Sequence, residues 1–277
     1  MSLGTTLFLK GAEFRYPGAS ENTLNGLDLE VRAGEWVAVL GSNGSGKSTL
    51  MKLFNALLIP TQGLCFVDGK ATSETDAVSA IRSKVSLVFQ NPEDQIVAAV
   101  VEEDTAFGPE NLGLAPKEIQ TRVKEALAAV GLWERHKAPV SSLSGGQKQR
   151  LALAGALAIK PQCLLLDEAM SMLDPSARKE FLEIVKKEHD NGRTIVQVTH
   201  RLDEIADADR VVVLKHGNLR WQGMPDEFLS LDEKLLAGMG FEKTPAAKLR
   251  DSLSARGKLS ASTKPEAKSI FEALTCL

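Results

Sequence analysis

Apolar residues recur along this chain with the two periods that distinguish strands from helices. Short apolar runs bounded by turn residues predict buried strands at 35–40, 64–67, 85–89, 163–166 and 194–198. Apolar positions three and four residues apart predict helices that begin near residues 50, 117, 145 and 175. Strands and helices alternate through the middle of the chain, and this order predicts an α/β fold.

The two ends of the chain follow other patterns. Residues 5–40 predict mostly β structure, with a turn signal at residues 15–18. From about residue 225 the apolar positions become sparse, and residues 250–269 are rich in Lys, Ser and Ala. We expect residues 226–277 to form a helical appendage that packs on the main domain or on a partner. A partly disordered tail is the alternative that the sequence leaves open.

Composition narrows the class of protein. The 277 residues fit one large domain, or one domain and an appendage. A net charge of −3 does not favour nucleic acid, so no nucleic-acid partner is expected. The three cysteines, Cys65, Cys163 and Cys276, are far apart and show no metal-binding spacing, which fits a reducing cytosol.

No apolar run has the length of a membrane-spanning helix, and the N-terminus lacks the pattern of a signal peptide. If the protein works at a membrane, we therefore expect other chains to cross it.

One glycine-rich stretch has the pattern of a phosphate-binding loop, G-x-x-x-x-G-K-[ST]. A predicted strand precedes it and a predicted helix follows it, which is the setting that such a loop needs. Glycines let backbone N–H groups turn toward phosphate oxygens, and the helix N-terminus adds positive potential. The motif comprises Gly41, Ser42, Asn43, Gly44, Ser45, Gly46, Lys47, Ser48 and Thr49. We expect Lys47 to reach the β/γ-phosphates and Ser48 to ligate Mg²⁺.

Further along the chain, other polar groups follow apolar runs. Ser144 is a predicted N-cap ahead of two glycines, and it offers a second helix start that could bind an anion. Asp167 and Glu168 end a buried strand, where adjacent carboxylates are costly unless they are paired or metal-bound. His200 ends another strand, at the sheet edge where α/β folds place ligands.

Tyr16 is the only tyrosine of the chain and lies in the early turn. Its ring either stacks on a nucleobase or lies half-buried at a strand end. The phosphate-binding loop favours stacking.

The order of these motifs over residues 5–225 resembles the ATP-binding-cassette (ABC) ATPases. The resemblance implies a P-loop cassette with a mixed core sheet, an N-terminal antiparallel β region and a helical signature subdomain at about 92–160. It implies ATP and Mg²⁺ as ligands, with Ser48, Gln90 and Asp167 holding the metal. It also implies a second ABC ATPase subunit, alike or related, that closes head-to-tail on two ATP molecules.

By the same resemblance, individual residues acquire roles. The nucleotide-binding set comprises Tyr16, the loop residues 42–49, Ser144, Gly145, Gly146, Gln147 of the signature, and Asp174. The catalytic set comprises Lys47, the Q-loop glutamine Gln90, the catalytic glutamate Glu168 and the switch histidine His200. Met170 departs from the family, which usually has Thr there.

A narrower resemblance concerns the segment that begins at Gln90 and extends to Gly108. It is similar to the ATPases of energy-coupling-factor importers, which take up vitamins or transition-metal ions. In those proteins an acidic segment after the Q-loop receives an arginine from a transmembrane coupling subunit, and Glu93 and Asp94 match it. A substrate-binding membrane protein completes such importers, and the ATPase lies on the cytoplasmic face of the membrane.

Two other functions stay open from the sequence: an ABC importer of another type, and an ABC ATPase outside transport. The transported substrate is not encoded in any motif of the chain.

Overall fold

The structure, a computed structural model, describes residues 4–260, 263–264 and 267–275. One sheet contains strands β1 (Leu7–Phe14), β2 (Leu24–Val31), β4 (Gln62–Val67) and β5 (Lys70–Ala71). The other contains β3 (Trp36–Leu40), β6 (Val85–Val88), β7 (Cys163–Asp167), β8 (Thr194–Val198), β9 (Arg210–Lys215) and β10 (Asn218–Gly223).

The first sheet is antiparallel, with the order β2-β1-β4-β5. The second has the order β10-β9-β3-β8-β7-β6, and its strands are parallel except for β10. The predicted α/β fold with an antiparallel N-terminal region and a mixed core sheet is confirmed. Because β3, β6, β7 and β8 are parallel, the segments that follow them meet at one edge of the sheet.

Side chains of β3 alternate between two hydrophobic clusters, one on each face of the core sheet. Trp36, Ala38 and Leu40 belong to one cluster, and Val37 and Val39 belong to the other. All five side chains are fully buried. A central strand that is apolar on both faces is typical of a parallel sheet covered on both sides, and it fixes the position of the loop that follows.

The longer connections fold into helices. They are α1 (Lys47–Phe54), α2 (Val78–Lys84), α3 (Val101–Asn111), α4 (Pro116–Ala129), α5 (Gly145–Ala158), α6 (Pro175–Asp190), α7 (Pro225–Ser230), α8 (Glu233–Met239), α9 (Pro245–Ala255) and α10 (Ala267–Thr275). Helices α3, α4 and α5 pack against one another. They form a helical layer, and residues 144–147 lie at the start of its helix α5.

Helix α1 is shorter than its apolar pattern predicts, since the i+7 position Leu57 lies beyond its end. The chain leaves the helix at Ala56, whose φ of 54° is left-handed. The N–H groups of Leu57 and Leu58 both donate to the carbonyl of Lys52, which closes the helix. Leu57 is consequently exposed rather than buried.

Helix α3 continues through Gly108 and Pro109, two residues that usually interrupt helices. A Cβ at position 108 would lie 2.8 Å from Cγ1 of Ile159, so glycine allows α3 to approach the end of α5 closely. Asp104 stabilises the start of the helix, because its Oδ1 accepts hydrogen bonds from the N–H groups of Val97 and Ala98. Tertiary packing thus outweighs the local tendency of these two residues to interrupt the helix.

The segment after residue 225 packs on the core at its beginning. Phe228, Leu236 and Phe241 belong to the cluster that covers one face of the central sheet. Among the described residues, no helix has both the length and the apolarity to span a bilayer. Cys65 and Cys163 are buried free thiols, and Cys276 lies outside the described residues.

Candidate functional site

The glycine-rich loop connects the end of β3 to the first turn of α1. Gly44 and Gly46 have φ values of 77° and 102°, a region in which side chains are strained. At Gly46, a Cβ would lie 2.6 Å from Leu24 and 2.9 Å from the carbonyl oxygen of Thr23. Only glycine therefore lets the loop pass this close to the antiparallel sheet.

Lys47 is buried at the base of this loop and is 5% exposed. Its Nζ donates to the carbonyl oxygens of Gly41 at 2.9 Å and Ser42 at 3.0 Å. Burial lowers the pKa of Lys47, whereas the carboxylates of Glu168 and Asp167 raise it. The ammonium is held where phosphate oxygens of a bound nucleotide could replace the two carbonyl groups as its partners.

Asp167 ends β7 and faces the start of α1. The Ser48 hydroxyl donates to Asp167 Oδ1 at 3.0 Å. Burial raises the pKa of Asp167, and the hydrogen bond from Ser48 lowers it. A hydroxyl and a carboxylate are hard oxygen ligands of the kind that Mg²⁺ prefers.

Among the residues that the structure describes, no group of three or more His, Cys, Asp or Glu side chains could hold a metal alone. Ser48 and Asp167 fit a Mg²⁺ ion that takes its other ligands from nucleotide phosphates and water.

Glu168 lies between Lys47 and His200. Its Oε1 is 3.7 Å from Lys47 Nζ, and its Oε2 is 3.5 Å from His200 Nδ1. Its φ is 50°, which is strained for a residue with a long side chain, and its N–H donates to the carbonyl of Val198. The backbone thus accepts strain to hold this carboxylate beside the loop.

Gln90 and Tyr16 approach the site from its sides. Gln90 Nε2 donates to Ser171 Oγ at 3.3 Å, in the segment that follows Glu168. The Tyr16 hydroxyl lies 3.2 Å from Thr49 Oγ1, and its ring packs edge-on against Phe14. Because Tyr16 is 38% exposed, it is both half-buried at a strand end and open to a stacking base.

The second anion-binding candidate is the start of α5. Ser144 and Gln147 cap each other, with Ser144 N donating to Gln147 Oε1 at 2.9 Å and Gln147 N donating to Ser144 Oγ at 3.3 Å. A Cβ at Gly146 would lie 3.2 Å from the Cβ of Ala177, while Gly145 faces open space. Asp174 caps the neighbouring helix α6.

In the described part of the chain, no hydrogen bond or ion pair joins residues 144–147 to residues 41–49. The structure brings together Lys47, Ser48, Asp167, Glu168 and His200, and it leaves residues 144–147 outside this group.

Two further side chains around the site, Lys148 and Glu204, belong to no motif in the sequence. Glu93 forms an ion pair with Lys148 of α5, whereas Asp94 has no ion-pair partner among the described residues. Glu204 is a buried acid four residues after His200. Neither Lys148 nor Glu204 belongs to a pattern that sequence reasoning could detect, because their partners come from distant segments.

Three comparisons relate the chain to known proteins. The family described as ABC transporter matches residues 24–171. The energy-coupling factor transporter ATP-binding protein EcfA1 of Symbiobacterium thermophilum is 51% identical over 235 residues, which cover 84% of this chain and 82% of that protein.

Solved structures give a consistent result. The structure of cbiO1 from Clostridium perfringens, described as part of the ABC transporter complex cbiONQ, is 33% identical and has a TM-score of 0.76. That match covers 91% of this chain and 96% of cbiO1. The ATP-binding cassette MJ0796, a dimer bound to ADP and Pi, is 29% identical with a TM-score of 0.72, covering 79% of this chain and 98% of that chain.

Replacement of the buried carboxylate, Asp167→Asn, should stabilise the nucleotide-free protein. Because the pKa of Asp167 is raised in the folded state, its ionisation at neutral pH destabilises the fold. We expect a Tm increase of about 2–4 °C, equivalent to about 1 kcal/mol, in thermal unfolding at pH 7. The variant should also lose the extra Tm increase that Mg²⁺ adds to ATP. The exposed Asp94→Asn variant is the control and should change neither quantity. A nucleotide-free Tm below that of the unmodified chain would contradict this account of Asp167.

Proposed function

Since the chain belongs to the ABC transporter family and hydrolyses ATP, we propose that it is the ATPase subunit of an energy-coupling-factor importer. Such a subunit drives the uptake of a vitamin or a transition-metal ion through separate membrane subunits. The observation that carries the enzymatic part is the Glu168 carboxylate, held between Lys47 and His200 beside the phosphate-binding loop. The name of the relative from Symbiobacterium thermophilum supports the transporter class.

ATP binds with its phosphates on the loop of residues 42–49 and its adenine on the exposed face of Tyr16. Lys47 exchanges its bonds to Gly41 and Ser42 for bonds to the β/γ-phosphates. Ser48, Asp167 and Gln90 would hold Mg²⁺. The ion, when bound, neutralises charge on the phosphate oxygens.

Hydrolysis is an in-line attack of water on the γ-phosphate. Glu168 orients the water and polarises it, because its carboxylate is fixed by the strained backbone and by its contacts with Lys47 and His200. His200 holds the γ-phosphate side of the site, and Gln90 positions the water from the edge formed with Ser171. Lys47 stabilises the charge that develops on the transferred group.

A second cassette completes each site. Ser144, Gly145, Gly146 and Gln147 form a capped helix start, which attracts an anion through its free N–H groups and positive potential. This anion is the γ-phosphate of ATP bound by the opposite subunit. Asp174, at the start of α6 beside Gly146, faces the same interface. The dimeric state of the MJ0796 structure supports this arrangement.

The membrane partner docks beside the Q-loop, on the cytoplasmic face of the membrane. A cavity of about 370 Å³ is lined by Leu87, Phe89 and Phe107, and also by Gln95, the residue that follows the short 3₁₀ turn Pro92–Asp94. Asp94 is the carboxylate that is available to an arginine of the coupling subunit, because Glu93 is already paired with Lys148. A substrate-binding membrane protein then selects the cargo.

Three regions share these tasks. Residues 1–225 form the ATPase domain, and residues 92–160 within it form the helical signature subdomain. Residues 226–277 form an appendage that supports dimerisation, and its first helices are anchored in the core through Phe228 and Leu236.

Glu168→Gln should preserve ATP binding and abolish most turnover. Glutamine keeps the shape of the side chain but removes the negative charge that polarises water. We expect kcat for ATP hydrolysis to fall by about 10²–10⁴-fold, while the affinity for ATP stays within about twofold. Steady-state phosphate release and equilibrium ATP binding measure the two quantities. Glu183→Gln, at an exposed position of α6, should leave both unchanged. Turnover within about twofold of the unmodified protein would contradict the role of Glu168.

Asp94→Lys should disrupt docking to the membrane subunits. Charge reversal places two cations opposite each other where an ion pair is proposed, so we expect at least about tenfold less membrane protein to co-purify from detergent-solubilised membranes. Asp76→Lys is the matched control, because Asp76 is also an exposed acid in a short 3₁₀ turn. The ATPase activity of the purified chain should not change in either variant. Equal co-purification by both variants would contradict the docking role of Asp94.

A further inference from the structure

The buried carboxylate of Glu204 is linked to the backbone on both sides of His200. Glu204, in the 3₁₀ turn Leu202–Glu204, is only 5% exposed. Its Oε2 accepts a hydrogen bond from Thr199 Oγ1 at 2.6 Å, and the same hydroxyl accepts one from the N–H of Arg201 at 3.1 Å. The residue before His200 and the residue after it are therefore both linked to Glu204.

Through Arg178 of α6, the same carboxylate is also linked to the segment between β7 and α6. Glu204 Oε1 lies 3.2 Å from Arg178 Nε, and Arg178 Nη2 donates to the carbonyl oxygen of Leu173 at 2.8 Å. Leu173 precedes Asp174, which caps α6. Glu204 and Arg178 thus join two loops that approach Glu168 from different sides.

The anchor of this group is the central sheet. Gln197 of β8 has its Nε2 3.5 Å from the Glu204 carboxylate, and its Oε1 accepts a hydrogen bond from Trp36 Nε1 at 3.1 Å. Gln197 and Trp36 are fully buried. Burial raises the pKa of Glu204, and the hydrogen bond from Thr199 and the charge of Arg178 counteract it. The carboxylate therefore occupies a dry and rigid environment.

The ring of His200 makes few contacts that could fix its position. Its side chain is 53% exposed, and within the described residues its only polar contact is with Glu168 at 3.5 Å. A shift of about 1 Å in a group beside the reacting atoms can reduce a rate by about 10²-fold. The backbone on either side of His200 must therefore fix the position of the ring, because the ring's own contacts do not.

We propose that Glu204 is a positioning residue that acts through His200, with Arg178 linking its carboxylate to the loop before α6. The proposal rests on the role assigned to His200 above. Buried ion pairs often contribute no more stability than well-packed apolar side chains would. Orientation of the His200 loop relative to Glu168 explains why a charged group is buried here.

Glu204→Gln tests this role, because glutamine keeps the size of the side chain and removes its charge. In the dimer of the 277-residue chain, we expect kcat for ATP hydrolysis to fall at least about tenfold, while KM for ATP stays within about twofold. A rise in KM with unchanged kcat, or no change in either, would contradict the positioning role.

A double-mutant cycle with His200→Ala tests whether Glu204 acts through the histidine. In the His200→Ala background, Glu204→Gln should lower kcat by less than about twofold further, because residues that act as a unit are not additive. Independent, multiplicative losses would contradict the proposal. Full turnover by His200→Ala alone would instead contradict the role of His200. A loss in His200→Ala without a loss in Glu204→Gln would contradict only the role of Glu204.

A second pair of variants separates positioning from folding. Arg178→Met combined with Glu204→Gln removes both charges, so it leaves no unpaired buried charge and should have a higher Tm than Arg178→Met alone. We expect kcat of this double variant to stay at least about tenfold below that of the unmodified chain. If kcat recovers together with Tm, the pair has a structural role only and the proposal is wrong.

Discussion

The approach of the Lys47 ammonium to the carboxylates of Asp167 and Glu168 is the interaction on which the site depends. The three side chains come from the loop after β3 and from the end of β7, which are separated by more than a hundred residues of sequence. They meet only because β3 and β7 run parallel to β8 on either side of it in one sheet. The apolar faces of these strands, packed into two clusters, fix the edge at which the charges meet. The fold thus holds opposite charges close together at a position from which water is partly excluded.

This arrangement of charged side chains contributes little to the stability of the fold, and its function is to bind the substrate. Burial lowers the pKa of Lys47 and raises that of Asp167, so each group disfavours its charged form at the position it occupies. Glu168 adds a left-handed backbone, and a glycine is required at position 46. Strained and poorly solvated groups concentrate where a ligand supplies the missing partners. Phosphate oxygens and a divalent cation are partners of the right charge for the lysine and the carboxylate, respectively.

Much of this could be predicted from the sequence, because the informative features are local. The strands, the glycine loop, the Ser144 and Asp174 caps, and the acidic strand end each lie within a few consecutive residues. The sequence was less informative about helix ends and about contacts between distant segments. Helix α1 ends before Leu57, where Ala56 adopts a left-handed conformation, and α3 continues through Pro109, with Gly108 packed against Ile159. The pairs Glu93–Lys148 and Glu204–Arg178 join segments far apart in sequence, so no spacing pattern encodes them.

The central claim is that each ATP lies between the loop of one cassette and the signature of another. Gly145→Asp tests it most directly, because a side chain at this position meets open space within its own chain and places a negative charge at the start of α5. The isolated chain carrying Gly145→Asp should bind ATP as tightly as the unmodified chain, unlike Lys47→Ala. The assembled dimer should lose ATP turnover by at least about tenfold. Weakened ATP binding by the isolated Gly145→Asp chain, or normal turnover by its dimer, would contradict the claim.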